Sequence, residues 1–469
     1  MASLWDEASN SLRPSPSTLP SRYDVVLIGA GFTGLWTAFA LTEIEPDLRI
    51  GILDKHRAGF GASGRNGGWC SSILPMSLDE IERRHGRDVA LDLQKTMTAT
   101  VDEIGETTAR LGIDCDYRKG GTISLIRNEF QLARADAELA SARRLGLGEE
   151  HMVRLSAEST ARIVRAAGRP ESNFQPGCAA LHPRKLVDGL VETLVNRGVA
   201  IHEGVEVVDF DVHEVETDHG SIGADSIVLC TEAYGTTLPR RKRSVLPLYS
   251  LMIASEPLTD EIWNEIGLDQ RTTFADHRQL IVYGQRTADG RLAFGGRGAP
   301  YHFGSRIEAS YDTDDRVRRH LEEELLDLFP VLHGVRFTHH WGGPLGAPRD
   351  WTFSVEYEPR TGLGRAGGYV GDGVATSFLA GRTLAELICK KSTDRTRLPF
   401  VGHRSPLWEP EPARWIAVNG LAKAVARMDA VEARGRRPSR IVQKVVTRLT
   451  GGRVSVFDAR RNGGRRSGH

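Results

Sequence analysis

The sequence predicts an α/β protein in which a Rossmann-type dinucleotide-binding domain, split along the chain, is joined to an antiparallel-sheet domain and followed by a C-terminal helical extension. Three observations carry this. An apolar, β-branched run, Asp24–Ile28, leads through Gly29-Ala30-Gly31-Phe32-Thr33-Gly34 into an apolar stretch of helical character. A second short strand, Arg49–Leu53, ends on Asp54. Much later, LYSLMIAS, QLIVYGQRT and RLAFGGRG have strand-like content, the last two joined by the polar turn Ala288-Asp289-Gly290.

The first element is a strand, glycine turn and helix in the order that dinucleotide binding requires. Gly29 permits the tight turn, Gly31 lets the backbone approach a pyrophosphate, and Gly34 lets helix and strand pack closely. The helix N-terminus offers free N–H groups and positive dipole to phosphate. Asp54 stands 20 residues past Gly34, where a carboxylate accepts from ribose hydroxyls. A second GxGxxG, Gly362 to Gly367, follows EYEPRT and runs into GGYVG, so a turn before a strand is expected there and only one dinucleotide site. After Asp54 the segment from Lys55 to Cys70 holds five glycines among polar residues, a composition suited to a loop whose backbone N–H groups cradle a large ligand.

DVVLIGAGFTGLWTAFAL, ILDK and GFGASGRNGG together resemble the flavoprotein family of D-amino-acid oxidase, glycine oxidase and sarcosine oxidase, most closely its gamma-glutamylputrescine-oxidase-like branch. ADSIVLC with Thr231-Glu232-Ala233-Tyr234-Gly235 resembles the family's VVLATNAYG, and Gly367 to Ser377 precedes the helix FLAGRTLAELI. In the family that helix points its N-terminus at the flavin pyrimidine, stabilising negative charge there. The resemblance spans roughly residues 23–399 and implies FAD as cofactor. Its expected contacts are Gly29, Ala30, Gly31, Phe32, Thr33, Gly34, Asp54, Lys55, Gly61, Ala62, Ser63, Arg65, Asn66, Gly67, Gly68, Val207, Thr231, Gly371, Asp372, Gly373, Val374, Ala375 and Thr376. Some relatives attach FAD through a Cys or His. Here Arg65 and Asn66 occupy the loop and no Cys lies between Cys230 and Cys389, so noncovalent FAD is expected, with Cys70 as the outside alternative.

The implied architecture places residues 22–108, 182–244 and 341–397 in the FAD-binding domain and 109–181 and 245–340 in the substrate domain. Residues 1–21 form an arm, and 398–469 a helical, basic extension. Within the substrate domain, RVRRHLEEELLDLF carries Val317, Leu321, Leu325 and Leu328 at helical spacing, a scaffold helix. Residues 434–469 hold eleven Lys/Arg and one acid, which reads as a solvated face with a frayed end.

Composition excludes other classes. Lys+Arg and Asp+Glu balance at 61 each, so the basic excess of a nucleic-acid binder is missing. There is no run of about 18 apolar residues to span a bilayer. The N-terminus lacks the basic start and apolar middle of a secretory signal. Five scattered cysteines without CxxC spacing fit a reducing compartment and a cytoplasmic location.

The chemistry the resemblance implies is oxidation of an amine or amino acid to an imine, with dioxygen reoxidising the flavin to give hydrogen peroxide. A dehydrogenase using another acceptor, or a hydroxy-acid enzyme, uses the same cofactor motifs. The small-molecule substrate needs no metal and no dedicated base, because an amine can lose its proton in a pocket that disfavours the cation. Expected pocket residues are Arg297, Tyr301 and His302 after the third sheet segment, with Tyr249 and Trp341 as aromatic walls.

Overall fold

The computed structural model describes residues 3–8, 19–297 and 300–449. The glycine turn sits where expected, between strand Arg22–Ile28 and helix Phe32–Ile44. Eleven of the 13 residues of that helix are buried, which explains a sequence apolar all round instead of on one stripe. Helix Gly373–Ile388 crosses it at Gly381, where a Cβ would lie 2.8 Å from Thr37 N, so glycine sets the close approach.

The first sheet runs Ser354–Glu358, Leu363–Gly367, Gly220–Leu229, Arg22–Ile28, Ile50–Asp54, Ala200–Glu203. Its four central pairings are parallel, and the hairpin at Ser354–Gly367 is antiparallel. Strands from three distant stretches of chain therefore build one sheet. The second GxGxxG lies within this sheet: Gly362 takes φ +68° in the hairpin turn and Leu363–Gly367 is the strand next to the edge, so most of the motif is strand and not the turn ahead of one.

The second sheet runs Phe337–Ala347, Leu246–Ser255, Leu292–Arg297, Val282–Arg286, Thr273–Asp276, Thr122–Ile126, Glu171–Gln175, Val153–Leu155. All neighbours are antiparallel except Thr273–Asp276 with Thr122–Ile126, which is parallel. Strand Phe337–Ala347 crosses the expected domain boundary at residue 341 and pairs with Leu246–Ser255 along its length. The scaffold helix, Asp315–Leu328, buries Leu321, Leu325 and Leu328. Among the described residues no helix is long and apolar enough to cross a membrane. In the extension, helices Ala413–Ala433 and Arg440–Leu449 are present, and residues 450–469 of the basic tail lie outside the described residues.

Candidate active site

At the end of the first strand Gly29 takes φ +109°, a conformation side chains rarely adopt. At Gly34 a Cβ would lie 2.1 Å from Gly29 O, so helix and strand meet this closely only because residue 34 is glycine. Around this helix N-terminus lies a trench of about 200 Å³. Its walls include Gly29, Gly31, Phe32, Thr33, Asp54, Lys55, Gly61, Ala62, Ser63, Asn66, Val207, Thr231, Gly371, Gly373 and Val374. Ala30 contributes through its amide, which donates to Asp54 Oδ2 at 2.8 Å, while His56 N–H donates to Oδ1 at 2.8 Å. Burial pushes the Asp54 carboxyl up to about 6, against those two amide hydrogen bonds. Each oxygen keeps a second lone pair for a sugar hydroxyl. Gly34, Ala375 and Thr376 are packing residues, Thr376 Oγ1 donating to Asp372 O at 2.5 Å.

A second cavity, about 680 Å³, opens from the trench, and the two share Ala62, Asn66, Leu345, Gly371 and Val374. Arg65, Gly67 and Asp372 line the larger one. Its floor is the glycine loop and the N-terminus of helix Gly373–Ile388; its roof is one face of the second sheet, through Ser250, Met252, Tyr283, Ala275, Ser124 and Gln175. Tyr283 covers Gly67, where a Cβ would lie 2.6 Å from its ring. The Tyr283 hydroxyl bonds Ser250 Oγ at 3.1 Å, and its ring stands edge-on to Trp69 at 5.7 Å and 76°. The loop is held from beneath by Gln285, whose amide donates to Gly67 O at 2.6 Å, and by Asn66 Oδ1, which accepts from Gly68 N–H. Arg65 pairs with Asp312 at 2.5 Å and Tyr234 at 2.9 Å.

The far wall is polar: Arg134, Glu138, His151, His277, Arg278 and Gln279. Burial pushes the Glu138 carboxyl up to about 7 and the His277 imidazole down to about 4; the two stand 3.8 Å apart. Exposed Asp79 and Arg83 mark the rim.

The residues expected to line the substrate pocket are placed elsewhere. Tyr249 is one position off: a strand alternates faces, so Ser250 and Met252 face the cavity and Tyr249 packs behind the sheet against His302 and Tyr311. His302 stacks on Tyr311 at 3.4 Å, and the Tyr301 hydroxyl donates to Glu411 of the C-terminal extension at 2.7 Å. Trp341 is buried and donates its indole N–H to Arg65 O at 2.9 Å, supporting the loop from outside the cavity. Arg297 ends a strand opposite Ser250, and its side chain lies outside the described residues.

Residues 24–387 match the DAO family, described as FAD dependent oxidoreductase. The chain belongs to this family. It is 30% identical over 375 residues to the gamma-glutamylputrescine oxidoreductase of Escherichia coli K12, covering 78% of this chain and 83% of that protein. It is 29% identical over 399 residues to the probable oxidoreductase OrdL of Haemophilus influenzae, covering 82% and 87%. Among solved structures, glycine oxidase from Geobacillus kaustophilus superposes with a TM-score of 0.70 at 21% identity, covering 82% of this chain and all of that one.

As a DAO-family protein the chain is an FAD-dependent oxidoreductase, and its residues fit the cofactor. The trench carries the free helix N-terminus and the Asp54 oxygens, and the adjoining cavity presents the buried Trp69 indole N–H without a hydrogen-bond partner. Sequence reasoning missed Trp69, Ser250, Met252, Tyr283 and the whole far wall. Strand parity would have found Ser250, Met252 and Tyr283, since each sits in a recognised strand segment; the far wall carries no motif.

Proposed function

We propose that this protein oxidises the C–N bond of a small amine or amino acid to an imine on noncovalently bound FAD, with dioxygen as the final acceptor. The observation that carries the reading is the shared boundary of the two cavities: a trench suited to a dinucleotide runs directly into a chamber of ligand size beneath the sheet. Bound FAD would supply the hydride acceptor, with dioxygen taking up the electron pair and two protons as hydrogen peroxide. Asp54 and the N–H groups of Gly31 and Thr33 would hold the adenosine and pyrophosphate, Phe32 N–H being taken by Ser63 Oγ at 2.8 Å, and Gly371–Val374 would offer helix N–H groups to the ring.

Tyr283 and Trp69 form an aromatic corner over Gly67 that excludes water and fixes the orientation of a substrate lying beside the loop. Met252, Leu345, Val374 and Ile281 give this part of the cavity an apolar surface, which disfavours an ammonium cation and favours the neutral amine that can lose hydride. A substrate held there would give up hydride from its alkyl carbon to the flavin as the nitrogen lone pair forms the C=N bond, and water would hydrolyse the resulting imine to carbonyl and amine. Relatives bearing the names glycine oxidase and sarcosine oxidase subunit beta support dioxygen as acceptor.

The test is an absorption spectrum of the purified protein, recorded anaerobically with an amine panel and then in air. Flavin bands that bleach with one amine and return in air are expected, and acid precipitation should release the flavin. Bleaching that air does not reverse would assign a dehydrogenase; a flavin that no amine or amino acid bleaches would overturn the reading.

A further inference from the structure

We infer that helix Ala413–Ala433, in the C-terminal extension, is the brace that sets the far wall of the substrate cavity, and so determines which substrates fit. The inference rests on the amine-oxidising reading for what the cavity holds, but the bracing itself is geometric. Segment 277–281 forms that wall without regular secondary structure over most of its length, between strand Thr273–Asp276 and strand Val282–Arg286. Its backbone amides need partners, and the helix supplies them. Asp429 accepts from Gln279 N–H at 2.9 Å on one oxygen and from Leu280 N–H at 2.8 Å on the other.

Glu432 completes the clamp. It is buried, takes both terminal nitrogens of Arg134 at 3.1 and 2.8 Å, and accepts from the Gln279 side chain at 3.1 Å. Arg134 in turn donates Nε to His277 O at 2.6 Å. Leu280 packs against Val425 and Met428 of the same helix. One carboxylate thus fixes two consecutive backbone amides, and a second from the same helix holds the segment through the Gln279 side chain and Arg134, while His277 and Gln279 line the cavity. Buried charge is costly, and this pair is satisfied only while helix and wall stay together. The helix lies beyond residue 387, where the family match ends, so the shared FAD fold and the wall of this chamber are specified by different parts of the chain.

Asp429 and Glu432 are therefore positioning residues. The isosteric variants Asp429→Asn and Glu432→Gln keep the packing and lose acceptors, avoiding the folding risk of deleting the helix. Amide hydrogen exchange over 277–281 should rise at least tenfold in Asp429→Asn, with bound FAD and its visible spectrum unchanged. Using glycine, sarcosine and the series from ethylamine to octylamine, KM for the longer substrates should rise about tenfold while kcat for the shortest accepted one stays within twofold. Unchanged exchange in both variants would overturn the brace. Increased exchange with KM shifted equally for all substrates would overturn its role in selection. If no amine reduces the flavin in the unaltered protein, the proposed reaction fails, and the exchange measurement still decides the brace.

Discussion

Residues 3–8 and helix Ala413–Ala433 both lie outside the family match at 24–387, and each reaches back to hold one part of the site, yet the main contact differs in chemistry. The N-terminal segment seats a buried indole on the loop and adds an ion pair at its edge, Asp6 with Arg57. Trp5 donates its indole N–H to Asn66 O at 2.7 Å and stands edge-on to His182 at 4.9 Å and Trp341 at 6.2 Å. Trp341 donates to the preceding carbonyl, Arg65 O, so two tryptophans secure consecutive residues of the cofactor loop. The C-terminal helix uses carboxylates on backbone amides and an arginine. The comparison teaches that the loop assigned to the cofactor is held chiefly by buried indole donors on its backbone, with ion pairs at Arg57 and Arg65, whereas the wall assigned to substrate is held by buried carboxylates.

The largest effect expected from this contrast is that of Trp5→Ala. Truncating a buried tryptophan costs about 3–5 kcal/mol, and the part felt by the loop should raise the FAD dissociation constant roughly 100-fold. Exchange over 277–281 should not change. Equilibrium dialysis against FAD checks this; an unaltered affinity would mean that the arm covers the loop without supporting it. Trp341→Phe keeps the ring and removes only the donor, so a loss of about 1 kcal/mol, or about fivefold in FAD affinity, is expected.

A third measurement separates the cofactor side from the wall by pH. Glu232 is buried at the trench and accepts from Gly368 N–H at 3.0 Å and Tyr369 N–H at 2.8 Å. Burial pushes its carboxyl from 4.5 up to about 7 despite those bonds. A carboxyl raised in the folded state stabilises fully below its unfolded value, and that contribution is lost as pH climbs through the folded one. Glu232→Gln should therefore gain stability relative to the parent as pH rises from about 4.5 to 7, by at most about 3 kcal/mol. A thermal-melt difference that stays flat with pH would show that Glu232 is ionised throughout.

How much of this was legible in the sequence follows the same division. The trench was readable because Gly29, Gly31, Gly34 and Asp54 are dictated by local backbone needs at fixed spacing. The loop's supports were not, since Trp5, Gln285 and Trp341 reach it from positions remote along the chain and carry no pattern. Tyr249 was misplaced by a single residue, because strand content is visible in sequence while the face that turns inward is fixed by pairing register. The far wall depends on Asp429 and Glu432 meeting Arg134 and residues 279–280 across the fold, a contact no local signal announces.

The smallest predicted effect tests the electrostatics of that wall. Glu138 is half-exposed toward the cavity with His277 at 3.8 Å, while the neighbouring charges are engaged in pairs, Arg134 with Glu432 and Arg278 with Asp276 and Glu324. Enclosure in the wall raises the Glu138 carboxyl and burial lowers His277 to about 4, so His277 stays neutral near pH 7 and Glu138 is the group that changes charge. Raising pH from about 6 to 8 should make the wall one unit more negative. KM for a substrate carrying a second, cationic nitrogen should then fall about threefold over that range, and a substrate with no distal charge should show no such trend. Glu138→Gln should abolish the difference between the two substrates. The Glu432→Gln variant should blunt it, since Arg134, freed from its partner, becomes a competing cation at the same wall. Equal pH trends for both substrates in the unaltered protein would show that the wall selects by shape alone.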